Sequence, residues 1–375
     1  MRRRLNLRLL FLMTLCLLLA ARQVAKDPRP SFLRPGLRMM AYVSNSGDGT
    51  VSVVDLVRLL TVATVTVGPS PSGIRAHPFR NEIWGVSTAL GQVWVLDTEN
   101  NTLKARIPVG GAPLAVDFSP DGNRAFVAAA GTRTLYAIDC RTHAVIAQAR
   151  TGRRPWLARV SPDARLVVAP NREDSTLSVF DASNLRLLAT LNVGPHPEQV
   201  VILPDSSKAF VTTAGNGGIS VVDLRRFVLL TNIPVAGPPT DLILKSDGGE
   251  LYVPVPSTNG IAILNTWANE FAQHLVLGTA PWRGSITLSS EPMVLFVSDA
   301  AAGRVRPVEI EVRLPRNTIP SGQRPGTSRL TPGEELLLVV NEDSNDLAVI
   351  RTRDYSLLTL IPVGLRPTDI TIKVF

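Results

Sequence analysis

Apolar residues along this chain come in short runs, and clusters of polar turn formers separate them. YVSNSGDGTVSVVD (42–55) is typical. Tyr42 and Val43 suit a pleated, buried surface. Asn45, Gly47, Asp48 and Gly49 are turn formers, and Val51, Val53 and Val54 resume a strand. Further along, PLAVDF, RAFVAA, TLYAID and AVIAQAR (113–150) predict four strands in succession. SPDG (119–122) and AGTR (130–133) supply the first two turns between them. No helical period is sustained in these runs.

The four-strand pattern repeats. Proline falls at Pro71, Pro113, Pro155, Pro197, Pro239, Pro281, Pro325 and Pro367, in steps of 42 residues interrupted by a single step of 44. A second register holds Tyr42, Trp84, Phe126, Val168, Phe210, Tyr252, Phe296 and Leu338, all large or branched and apolar, as the core of one strand requires. A third closes another strand with Asp55, Asp97, Asp139, Asp181, Asp223, Asn265, Glu309 and Arg351. The step of 44 appears in all three, so the two extra residues lie between Pro281 and Phe296. A repeat of this length with four strands, here called a to d, is the signature of a propeller blade.

Seven full units run from Pro71 to Arg366. Residues 38–67 supply strands b, c and d without an a, and PTDITIKVF (367–375) supplies an a strand alone. The expectation is therefore an all-β propeller of eight four-stranded blades, closed by the last strand of the chain joining the N-terminal blade. Seven blades with one unit outside the ring is the alternative. Closure leaves only short sheet edges.

The elements VG-x-x-P, SPDG, YV-x-N and TVSVVD together resemble the YVTN-repeat β-propellers. Tyr42-Val43-Ser44-Asn45 is the closest copy of the tetrapeptide that names them, and Trp84-Gly85-Val86-Ser87 and Phe296-Val297-Ser298-Asp299 drift from it. The resemblance spans essentially the whole of 38–375. It implies the fold and an exported protein, and it implies no particular activity, because such propellers host unrelated functions. Familiar members have seven blades, so eight would depart from them.

Composition changes the picture at the N-terminus. MRRRLNLR is basic, and residues 9–21 form an apolar run shorter than the ~20 residues of a membrane span. This pattern predicts a signal peptide over 1–22 with Ala20 and Ala21 near the cleavage site, then a linker over 23–37. Cleavage would leave the mature chain without a membrane span, in the periplasm or outside the cell; an uncleaved anchor is the alternative. Losing five arginines and no acid takes the net charge from +8 to +3, which argues against nucleic acid as a partner. The mature chain keeps only Cys140, so no intrachain disulfide is expected.

No catalytic set emerges. His77, His143, His196 and His274 fall in different units without metal-ligand spacing, and the elbow, phosphate-loop and paired-cysteine motifs are missing. No cofactor and no metal site is expected. The variable position just before the repeated proline is more informative. It reads Ser70, Ala112, Arg154, His196, Pro238, Ala280, Arg324 and Arg366. With Arg153, Trp156, Trp282 and Arg283 beside it, this register predicts a basic mouth with two stacking surfaces on the face carrying the d-to-a and b-to-c loops. The function expected is a binding scaffold for a protein, a polysaccharide or a small anionic ligand. Two alternatives are a lactonase-like hydrolase using His196, Glu173 and Asp174, and a haem-binding eight-bladed propeller of nitrite-reductase type.

Overall fold

A computed structural model describes residues 38–278 and 285–375. The chain forms eight antiparallel sheets in a ring. Blade 1 takes its strands a to d from Pro71–Ala76, Glu82–Ser87, Gln92–Asp97 and Thr102–Pro108. Blades 2 to 7 follow in chain order, so the eight-blade expectation holds and the seven-blade alternative falls. The signal-peptide and linker residues 1–37, with Trp282 and Arg283, lie outside the described residues.

Blade 8 is built from both ends of the chain. Met39–Asn45, Thr50–Asp55 and Leu60–Thr66 are its strands b, c and d, and Pro367–Val374 is its strand a. The pairing sets Met39 opposite Val374, Tyr42 opposite Thr371 and Val43 opposite Ile370. The Phe375 amide donates to the Arg38 carbonyl at 2.9 Å, and the Arg38 guanidinium lies 5.0 Å from the centre of the Phe375 ring. The final strand also reaches blade 1, where Lys373 Nζ donates to the His77 and Arg80 carbonyls at 2.8 and 2.6 Å.

The core lies in layers between neighbouring blades. Val168, Leu177 and Val179 of blade 3, for example, pack with Val200, Ala209 and Val211 of blade 4. All eight side chains of the Tyr42 register are buried. Outer strands alternate between exposed and half-buried positions, as Leu60–Thr66 does. The acids ending strand c accept amides of the following turn: Asp139 Oδ1 takes the Arg141 and Thr142 amides at 3.0 and 2.7 Å, and Asp223 Oδ1 those of Arg225 and Arg226 at 2.8 and 2.9 Å.

Pairing also narrows the place of the two extra residues. Ile243 opposes Tyr252 in blade 5 and Thr287 opposes Phe296 in blade 6, so the insertion comes before Thr287.

A polar latch joins several blades. The residue opening strand b reaches the c-to-d turn of the next blade. Arg124 Nη1 donates to the Ala182 and Ser183 carbonyls at 2.8 and 2.6 Å. Lys208 Nζ donates to Asn269 Oδ1 at 2.7 Å, and Glu250 pairs with Arg313. Glu82, at the same position in blade 1, is buried and accepts from Lys104 Nζ at 2.8 Å and Trp84 Nε1 at 3.0 Å, with His143 Nε2 of blade 2 at 3.2 Å.

Candidate functional site: the channel and its mouth

The loops between strands d and a are pinned to the b-to-c turns at one end of the ring. The residue before the repeated proline adopts a left-handed backbone at Ser70, Ala112, Arg154, His196, Arg324 and Arg366, with φ between 51° and 57°. Each of these six carbonyls accepts an amide from the b-to-c turn of the same blade, as in Arg172 to Arg154 at 3.0 Å, Ala214 to His196 at 3.1 Å and Glu342 to Arg324 at 3.1 Å. A non-glycine residue held left-handed costs about 1 kcal/mol, which the surrounding bonds must offset. At six of its eight positions the register read from the sequence is therefore one repeated backbone turn, and the side chains there vary on a fixed frame.

The basic residues of this register stand beside acids. Arg153 pairs with Asp174 through its guanidinium, and its amide donates to Asp174 Oδ2 at 2.6 Å. These bonds hold the Asp174 carboxyl below the usual carboxylate range. Arg154 lies 3.6 Å from Glu173, and Arg324 lies 3.2 Å from Glu342 and 3.9 Å from Asp343. Arg366 is exposed, and its amide donates to Asn345 Oδ1 at 2.7 Å. Trp156 lines the channel mouth, with the Arg172 guanidinium 5.8 Å from its ring centre. Arg172 in turn pairs with Glu198 at 2.7 Å. The mouth is thus a mixed ring of both charge signs. His196 has no hydrogen bond or ion pair to Glu173 or Asp174 among the described residues; Asp174 is engaged by Arg153, and Glu173 lies beside Arg154.

Inside the mouth, strand a of each blade lines a cavity of about 600 Å³. This is within the usual size range of small-molecule sites, ~300–1,000 Å³. The second residue after the repeated proline faces it in seven blades, Gly73, Ala115, Leu157, Gln199, Asp241, Thr327 and Asp369, and Ser285 takes that place in blade 6, two residues later because of the insertion. Two residues further along the strand, Arg75, Arg159 and Arg329 face it as well. Strand a carries a register shift at Ser72/Arg75, Pro113/Val116, Pro197/Val200 and Pro325/Ser328, and such bulges redirect side chains. Gly73, with φ 55°, is needed at its place because a Cβ there would meet the Leu114 carbonyl oxygen at 2.4 Å.

Sequence reasoning missed this inner ring. Its signal was available: Arg75, Asp117, Arg159 and Arg329 occupy equivalent positions of a strand otherwise read as core. Asp117 Oδ1 lies 3.8 Å from Arg75 and 3.9 Å from Arg159, and Asp369 Oδ1 lies 3.9 Å from Arg329. Enclosure by the channel wall lowers the Arg159 guanidinium to about 10, and Arg75 and Arg329 push in the same direction. Burial raises the Asp241 carboxyl, although the Leu242 amide donates to it at 2.8 Å.

No protein-family model and no curated protein matches the chain. Solved structures do. A structure of dihydro-heme d1 dehydrogenase NirN in complex with DHE superposes with a TM-score of 0.72 over 92% of this chain and 76% of that one, at 16% identity. Hydrazine synthase of Kuenenia stuttgartiensis matches 75% of this chain and 95% of its own, with a TM-score of 0.61 and 18% identity. A protein of unknown function from Desulfotomaculum acetoxidans matches 80% and 99%, with a TM-score of 0.60 and 15% identity. At these identities the fold is shared and nothing more follows.

The channel can be tested against a haem on its own residues. Among the described residues lining it, none is histidine, cysteine, methionine, tyrosine or lysine. An axial ligand would have to come from outside that lining, as from His196 before Pro197. Cys140 is buried away in the core, where its thiol is pushed up to about 12, chiefly by burial.

Proposed function

We propose that this chain is an exported propeller of the YVTN-repeat type that acts as a binding scaffold, taking its ligand on the loop face at the channel mouth. The observation that carries this reading is the frame of pinned loops. Six d-to-a loops share one backbone turn around a single opening, and the residue presented there changes from blade to blade. A rigid frame with variable side chains suits recognition, because little ordering is left to be done on binding. Arg154, Arg324 and Arg366, with Arg153, Trp156 and His196, are the residues assigned to it. Trp282 and Arg283 belong to the same assignment from the sequence. The ligand is polar and presents an anionic group, since arginine forks suit carboxylate and phosphate geometry. Export rests on the leader-like residues 1–22, and membership of the family on the repeated elements.

The test is a thermal-shift screen of carboxylated and phosphorylated small molecules and of acidic oligosaccharides. The wild-type protein is compared with the triple variant Arg154→Ala, Arg324→Ala, Arg366→Ala. Ligands that raise the wild-type melting temperature are expected to lose most of that effect on the variant. Equal responses from both proteins would sink the assignment of the mouth.

A further inference from the structure

The channel interior carries a second, deeper feature. The acids lining it are already engaged: Asp241 accepts the Leu242 amide and Asp369 that of Ile370, both at 2.8 Å, and Glu342 pairs with Arg324 at 3.2 Å; behind them Asp117 accepts the Val160 amide at 3.0 Å. Its arginines are not matched in the same way. Arg75 Nε donates to the Val116 carbonyl at 3.0 Å, and Arg329 Nη1 to the Ser328 carbonyl at 2.9 Å. Their carboxylate contacts, at 3.8 and 3.9 Å, lie beyond hydrogen-bond range. Arg159 is the extreme case. Its Nη1 is sealed from solvent and has no hydrogen-bond partner, while about 24% of its side chain still faces the channel.

The sealed Nη1 lies 3.9 Å from Asp117 Oδ1, and the part of the guanidinium left exposed to the cavity is short of an acceptor. The placement of the arginines points the same way. Arg159 belongs to blade 3 and Arg329 to blade 7, which lie opposite one another in a ring of eight. Arg75 stands two blades from each. An oxyanion between them would receive donors from opposite walls.

We infer that the channel holds a small oxyanion, a carboxylate or a phosphate, bound by Arg75, Arg159 and Arg329 below the mouth. The inference deepens the binding reading above and rests on it, but it uses residues that reading does not assign. Within about 600 Å³, the group bound is a small molecule or the tip of a larger one.

The experiment is a titration followed by thermal shift, with malonate and inorganic phosphate as separate probes at ionic strength held constant with chloride. Wild-type protein is expected to be stabilised by at least one probe, and which one names the chemistry. Arg159→Met and Arg329→Met are each expected to weaken that probe at least tenfold, with an unchanged far-ultraviolet circular dichroism spectrum. Arg225→Ala, on an exposed c-to-d turn, should leave it unaffected. If Arg159→Met does not fold, Arg329→Met decides. A wild type indifferent to both probes, or methionine variants that respond as the wild type does, would overturn the inference. If the triple mouth variant still loses its own ligand in that case, the scaffold reading stands without the channel site.

Discussion

At the scale of single residues, buried polar groups explain more of this molecule than its exposed charges do. Burial alone would raise the Glu82 carboxyl. Hydrogen bonds from Lys104 and Trp84, helped by His143, outweigh that and hold it below its ordinary value. A carboxyl depressed in the fold contributes stability that is present above its unfolded pKa, ~4.3, and lost as pH falls through the folded value. Glu82→Gln is therefore expected to cost about 1–3 kcal/mol at pH 7, because the buried site loses its anion. The difference from wild type should shrink as both proteins are denatured at successively lower pH, below about 4. Denaturant melts of the two proteins from pH 7 to pH 3 check this; a gap that stays constant would mean that packing, not charge, accounts for it.

The same scale explains why two separate sequence elements travel together. Asn171, the last residue of a strand b, donates through Nδ2 to Thr176 and Ser178 at 2.9 and 2.8 Å and accepts the Gly152 amide at 3.0 Å. A Cβ on Gly152 would lie 2.7 Å from Asn171 Cγ. The glycine before the proline and the asparagine of the tetrapeptide are one packed contact, repeated by Gly364 against Asn45 and Gly322 against Asn341. The glycine was legible in VG-x-x-P and the asparagine in YV-x-N. Their contact was not, because it joins strands that the sequence separates.

At the scale of elements, periodicity exposed strand order and blade count, and polar turns marked the boundaries. Strand a was the least legible. In blade 3 its regular part shrinks to Arg159–Val160, and in blade 5 to Ile243–Leu244. The bulges turn residues toward the channel, so an element that reads as core in sequence presents arginines to a cavity. The mouth loops were legible because proline and glycine fix their register; the acids beside Arg154 and Arg324 come from the b-to-c loops, and periodicity along the chain does not reveal that pairing.

The closing strand provides the test at this scale. Ile370 is buried and pairs with Val43, and a fully buried isoleucine alone contributes about 1.5–3 kcal/mol. Deleting residues 367–375 also removes the ladder along Met39–Asn45 and the Lys373 contacts to blade 1. The truncated protein is expected to melt on the order of 10 °C or more below the full chain, or to fail to fold. A truncated protein that melts like the intact one would show that the ring does not depend on its last strand.

At the scale of the whole molecule, eight similar blades make a symmetric frame, and function must come from where the symmetry breaks. It breaks before the repeated proline, where arginine, histidine, serine and alanine alternate, and again in the channel, where arginines and aspartates replace apolar residues. Both breaks lie at one end of one channel. The central claim is that this end binds a ligand. Native mass spectrometry of the protein purified from its own host tests it most directly, with wild type and the triple variant Arg154→Ala, Arg324→Ala, Arg366→Ala measured side by side. The account predicts a non-covalent adduct on the wild-type chain that the variant has lost. Bare chains in both spectra, or the same adduct on both, would contradict it.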